Sequence, residues 1–207
     1  PGTTPAELRL VYEGFDALIA GTPGCIGFQW GHNNSPEGLA KGFTHGFIIT
    51  FESLEVRDRY MVAKNHDEFR EIVLPRLADV FALDFSVPRV PEAAEPGRVH
   101  HLVFFKFKPD APAAKIDEVN AAFAQLPRRV AGLLSFQAGP NNLDGDYNKG
   151  FSHGYLLTFV NDRARDDYLI HPAHREFVSL VGPVLAEPLV VDFTVVPSGR
   201  GLFVVDG

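Results

Sequence analysis

Lys149-Gly150-Phe151-Ser152-His153-Gly154 restates Lys41-Gly42-Phe43-Thr44-His45-Gly46 at a distance of 108 residues. The same offset holds on either side of this stretch. Phe28-Gln29-Trp30-Gly31 returns as Phe136-Gln137-Ala138-Gly139. Asp58, Tyr60, His66, Phe69 and Pro75 return as Asp166, Tyr168, His174, Phe177 and Pro183. Asp84-Phe85 closes one copy and Asp192-Phe193 the other, so residues 1–87 align with 109–195 without a gap. Solenoid repeats run at roughly 20 to 50 residues; a period this long means two small domains in tandem. The chain therefore carries its own two-member alignment, in which the polar residues that recur stand out against much drift.

Composition narrows the function classes. With 45% hydrophobic and 22% charged residues the chain is an ordinary globular one, and its 18 Phe predict well-filled apolar cores. A net charge of −7, with Lys and Arg scattered, excludes a general nucleic-acid binder. No apolar run approaches the roughly 18 to 20 residues of a membrane span. Cys25 is the single cysteine, so an intramolecular disulfide is impossible, which fits a reducing compartment. The expectation is a cytoplasmic protein. Its start, Pro1 to Pro5, shows neither the basic nor the apolar region of a signal peptide, and no initiator Met.

The second copy reads as β-α-β-β-α-β. Val99 to Lys108 alternates as a strand, with His101, Val103, Phe105 and Phe107 on one face. Ala113 to Leu126 has helical spacing of Ile116, Val119, Ala122, Phe123 and Leu126. Leu133 to Gly139 and Phe151 to Val160 are strands around a polar loop, 140–150. Asn161 caps a helix through Tyr168; His171-Pro172 interrupts it, and Pro172 suits the first turn of a further helix, Ala173 to about Leu185. Leu189 to Val195 is the last strand. The first copy gives α-β-β-α-β: Pro5 to Leu18, Ile26 to Gly31, Phe43 to Phe51, one helix from Ser53 to Leu77, and a strand from Phe81 to Val87.

The domain plan is 1–87, a linker at 88–97 with three prolines, 98–196, and a tail at 197–207. The counterpart of the Val99 to Phe107 strand would fall before Pro1. In a ferredoxin-like unit that strand lies between the third and fourth, and an empty slot there leaves backbone groups unpaired. The strand-like Leu202 to Val205, within 201–205, is expected to fill it; the alternative is a strand that lies ahead of Pro1.

These pieces resemble the stress-responsive A/B barrel (Dabb) family. The resemblance rests on the His101 to Lys108 strand, the Phe-x-x-Gly strand end, the Gly-Phe-Thr/Ser-His strand, Asp167-Tyr168-x-x-His171-Pro172-x-His174, and the closing Val-Asp-Phe. It covers nearly the whole chain, twice. It implies an α+β fold, two ferredoxin-like units forming an intramolecular dimeric α/β barrel, the pseudo-dimer of a single chain. One plant member of the family is a polyketide cyclase. Its acid/base pair matches Tyr168 and His174, and its pocket histidines match His101 and His153; in the first copy the matching residues are Tyr60, His66 and His45, with no partner for His101. Tyr60 to His66 lacks the His-Pro step.

The residues allow that chemistry. Near pH 7 a neutral His takes a proton and a Tyr hydroxyl serves an oxyanion or acts as an acid. On a straight helix Tyr168 and His174 would lie about 240° apart, so the His171-Pro172 break has to bring them together. Against this, His174 would merely cap a helix and Tyr168 would pack with its hydroxyl bonded; His45 and His153 would be core histidines bonded to backbone carbonyls. Gly46 and Gly154 suggest close backbone approach. His100 and His101 point to opposite faces, and no zinc or phosphate-loop motif is present, so no metal or cofactor is expected. Arg57 and Arg165 read as solvated charges beside Asp58 and Asp166. Two functions remain: a binder of a small hydrophobic molecule acting as a cofactor-free cyclase or lyase, or a non-catalytic stress or scaffold protein. A third, an oxygenase-like activity, rests only on related dimeric barrels.

Overall fold

A computed structural model describes residues 3–88 and 94–196. They fall into two compact units that cut across the repeat: 3–29 with 47–80, and 30–46 with 81–88 and 94–196.

The first unit packs α1 (Pro5–Ala20) and the bulk of β1 (Cys25–His32) and β2 (His45–Phe51) with α2 (Leu54–Met61) and α3 (Lys64–Val73). Thr4 and Glu7 close a capping box at the start of α1. Its core joins Val11, Leu18, Tyr60, Phe69 and Val73, with Phe15 tilted against Phe69 at 4.2 Å and stacked on Phe47 at 4.7 Å. The sequence predicts one helix from Ser53 to Leu77; the chain instead breaks at Val62-Ala63, where Ala63 is extended. The core explains the break without proline. Tyr60 and Phe69 are nine residues apart, about 180° on a straight helix, yet both are buried. Only a bent path lets both face inward.

The second unit is built on a four-stranded antiparallel sheet in the order β4 (Leu133–Pro140), β5 (His153–Phe159), β3 (Val99–Phe107), β6 (Leu185–Thr194). The first strand of the copy is thus in the middle, between its third and fourth, as expected. On one face α4 (Ala113–Phe123), α5 (Asp162–Ile170) and α6 (Pro172–Val181) close a core around Val103, Phe105, Phe123, Tyr155, Phe159, Tyr168 and Phe177. Phe123 alone meets Phe177 at 4.2 Å and Tyr155 at 4.8 Å. Asn161 caps α5 through its side chain.

The other face of this sheet is also buried, and the 30–46 and 81–88 segments of the same unit cover it. Phe81 meets Phe104 at 4.7 Å and Phe151 at 5.4 Å. The recurring glycines make the approach possible. A Cβ on Gly154 would stand 2.7 Å from Leu83 and 2.8 Å from Phe85; one on Gly46 would stand 2.8 Å from Phe193. Gly154→Ala should therefore cost about 1–3 kcal/mol, the usual range for overpacking, seen as a lower urea midpoint. A variant as stable as the parent would show that the 81–88 segment can move off the sheet freely.

Phe81 to Val87 is not a strand, against the sequence reading. Its counterpart β6 forms a ladder through β3 alone, whereas among the described residues 81–88 have no strand to pair with, and β1 and β2 form a sheet of two. The proposed filler, Leu202 to Val205, lies outside the described residues.

The segment is held another way. Asp84 N–H donates to Asn141 Oδ1 at 3.3 Å, Asn142 N–H to Asp84 O at 2.8 Å, and Ala82 N–H to Tyr147 O at 3.2 Å. The same strap runs in reverse. Asp192 N–H donates to Asn33 Oδ1 at 3.0 Å, Asn34 N–H to Asp192 O at 2.9 Å, and Val190 N–H to Leu39 O at 3.2 Å. Each copy thus lays its Asn-Asn loop along the closing segment of the other.

Candidate functional site

Tyr168 is the centre of the candidate site. It is 0% exposed, on the last turn of α5, with its ring 4.3 Å from His174, 5.0 Å from Phe159 and 5.7 Å from His101. The chain stops α5 at Ile170. His171 is extended, its imidazole accepts from Ala173 N–H at 3.1 Å, and Pro172 opens α6. The cap is therefore His171, and His174 is left to turn back over Tyr168. His174 Nδ1 donates to Leu169 O at 3.1 Å, which leaves Nε2 with the lone pair of a neutral ring. Burial pushes its pKa below the usual value, with His101 and His171 adding to the effect. Burial, together with the nearby Glu37 and Asp192 carboxylates, holds the Tyr168 hydroxyl far up. That hydroxyl has no hydrogen-bond partner among the described residues, contrary to the bonded, purely structural tyrosine the sequence allowed.

Behind Tyr168 lies a buried ionic network that the sequence did not announce. His101 Nδ1 donates to Asp192 Oδ1 at 2.7 Å, and Arg165 Nη1 donates to Asp192 Oδ2. Arg165 Nε reaches Asp166 at 2.8 Å. Arg165 is 4% exposed and Asp192 0%. This corrects the reading of Arg165 as a solvated charge: α5 turns its guanidinium inward, where an uncompensated carboxylate would otherwise be buried. Glu37, from the first copy's loop, brings Oε2 to 3.9 Å from His101 Nδ1. Burial alone would lower the His101 pKa, but Asp192 and Glu37 carry it above the ordinary value; burial would raise Asp192, but His101 and Arg165 hold it down. Burial raises Glu37.

The other candidates are elsewhere. His153 pairs across from Phe105, four residues along β5 from Leu157, which faces His101; that is roughly 13 Å at strand spacing. It bonds to Ser152 Oγ at 3.0 Å rather than to a carbonyl. His45 likewise bonds to Thr44 Oγ1 at 2.9 Å and packs tilted against His32 at 4.2 Å. In the first copy the rings of Tyr60 and His66 stand 4.6 Å apart and His66 Nδ1 meets Met61 O at 3.2 Å, so the tyrosine–histidine geometry recurs without a His-Pro step. Among the described residues no three His, Cys, Asp or Glu side chains gather as a metal site, and no helix is long and apolar enough to cross a membrane.

His100, on the opposite face from His101, bonds to Thr158 Oγ1 at 3.1 Å and packs edge-on against Phe193. Burial lowers its pKa to about 4. The unfolded chain takes up this proton below the ordinary 6.5 while the folded chain resists until about 4, so stability falls as pH drops through that window. His100→Gln should flatten that fall in a calorimetric series from pH 6.5 to 4. An unchanged slope would assign the acid loss to other groups.

A four-stranded antiparallel sheet in this order with helices on one face defines a ferredoxin-like α+β unit, and the repeat makes the chain a tandem of two ferredoxin-like copies, the first with two described strands. The chain belongs to the stress responsive A/B barrel domain (Dabb) family, whose model matches residues 1–87 and again 99–195. It is 29% identical over 97 residues to the stress-response A/B barrel domain-containing protein HS1 of Arabidopsis thaliana, covering 47% of this chain and 89% of that one. It is 26% identical over 96 residues to olivetolic acid cyclase of Cannabis sativa, covering 46% and 95%. A solved candidate monooxygenase from Fusobacterium nucleatum shares the fold at a TM-score of 0.61 with 9% identity, covering 95% of this chain and 88% of that one.

Proposed function

We propose that the site around Tyr168 and His174 binds a small, mainly apolar, oxygen-bearing molecule and rearranges it by proton transfer without a cofactor, as a polyketide cyclase or lyase does. The buried Tyr168 hydroxyl without a partner, facing a neutral His174, carries this reading. A hydroxyl buried unpaired costs about 1–3 kcal/mol, a cost that a ligand oxygen would remove. His174 Nε2 has the lone pair to take a proton from an enolisable carbon, while Tyr168 donates to the oxygen on which charge develops. The likeness to the Cannabis sativa cyclase supports the substrate class. Cys25 as the single cysteine supports placement in the cytoplasm.

The test is Tyr168→Phe, assayed for ring closure of a linear β-polyketo thioester followed by NMR. Loss of the unpaired hydroxyl should leave the fold as stable or about 1 kcal/mol more so, while turnover drops roughly tenfold or more. A variant that turns over like the parent would end the assignment. The second reading, a non-catalytic stress or scaffold protein, is favoured by the recurrence of the tilted ring pair at Tyr60 and His66, since a geometry made by both copies can belong to the fold alone. It predicts no turnover by the parent protein on this substrate class.

A further inference from the structure

Glu37 sits on a loop held along β6 at several points. Its anchors are the Asn33 and Asn34 bonds to Asp192, the Leu39 bond to Val190, and the ion pair of Lys41 with Glu187 at 2.5 Å. This strap comes from the first copy, yet it delivers Glu37 to the cluster of the second. The reciprocal loop does not do the same, because the residue that aligns with Glu37 is Gly145, with φ of 95°.

The hydrogen-bonding capacity left in the cluster is specific. Asp192 spends one oxygen on His101 and the other on Arg165. Arg165 is further occupied by Asp166 and by Asn34, whose Oδ1 is 3.4 Å away. Within the cluster, the buried Tyr168 Oη and Glu37 Oε2 have no hydrogen-bond partner among the described residues. One is a hydroxyl that both donates and accepts, the other a carboxyl oxygen that accepts when ionised. The side chain of Glu37 is 20% exposed, against 2% for His101, so it stands on the outer side of the cluster.

Building on the reading that Tyr168 marks a ligand site, we infer that Glu37 makes this site select a ligand with a neutral hydroxyl, a phenol or enol, over one with a carboxylate. A single ligand hydroxyl satisfies both orphaned atoms, donating to Glu37 and accepting from Tyr168. The rings of Phe159, His101 and His174 around Tyr168 suit an aromatic or enolic body. A carboxylate ligand meets the opposite situation. The donors Arg165 and His101 are already bonded to Asp192, so a further anion would stand against Glu37 with nothing to balance it.

The experiment uses two inert probes of matched shape, 4-propylphenol and 4-propylbenzoate, titrated calorimetrically into the full chain at pH 7. The phenol should bind at least roughly tenfold tighter than the benzoate, the scale of one hydrogen bond to a charged group. Glu37→Gln should close that gap by roughly tenfold, mainly through tighter benzoate binding, with an unchanged melting temperature. Tyr168→Phe should weaken the phenol. Equal binding of the two probes by the parent, a preference untouched by Glu37→Gln, or binding of neither probe would overturn the inference. Neither probe can be turned over, so this outcome is separate from that of the catalytic reading. A Glu37-dependent preference in a protein with no turnover would sink catalysis and leave the selection standing; turnover with no Glu37-dependent preference would do the reverse.

Discussion

Asp192→Ala should destabilise the protein by about 3–5 kcal/mol, the cost of removing one member of a buried ion pair. The residue is 0% exposed and accepts from two donors, His101 Nδ1–H and the Arg165 guanidinium. Removing it leaves the Arg165 guanidinium, 4% exposed, with a single, largely solvated carboxylate at Asp166. Exposed pairs such as Lys64 with Glu68 should contribute little. Urea denaturation of Asp192→Ala and of Glu68→Ala compares the two on one scale. The double variant Asp192→Leu/Arg165→Met should recover much of the loss, because the penalty comes from a buried charge without its counter-charge rather than from weaker packing. If Asp192→Ala costs under about 1 kcal/mol, the network is not buried in solution as the structure has it.

His174→Ala should lower turnover roughly 10²-fold or more, the contribution usual for a positioned general base, with little loss of stability. His174 is half-buried and its one described bond is to the Leu169 carbonyl, so its removal leaves no buried charge. Single-turnover kinetics would place the loss in the chemical step. A protein with demonstrated activity that keeps it in this variant would remove His174 from the mechanism.

Much of this is legible in the chain. The 108-residue offset announces two copies, and the Val/Phe alternation from Val99 announces the central strand. Tyr168 and His174 stand out because they recur and because Pro172 marks where the helix must turn. Asp192 recurs as Asp84, but near the end of a strand it reads as a terminus. Its role emerges only when β6 is laid beside β3 and His101 comes opposite. Arg165 misleads because an arginine beside an aspartate on a helix is usually solvated; which way α5 rolls is decided by tertiary packing. Glu37 leaves no trace, since its counterpart is a glycine and it reaches the cluster from the other copy. The Ala63 break is hidden for a related reason: it follows from two core positions half a turn apart, not from a local breaker.

The crossed straps have a consequence for how such a protein can change. In a homodimer one substitution alters both sites at once, because both subunits are read from the same codon. Here position 37 and position 145 are separate codons, one glutamate and one glycine. Fusion into one chain lets selection tune the loop over one cluster while leaving the other loop to its bracing task. The linked halves are free to become unlike, as the subunits of a heterodimer are, with no risk of the wrong pair assembling.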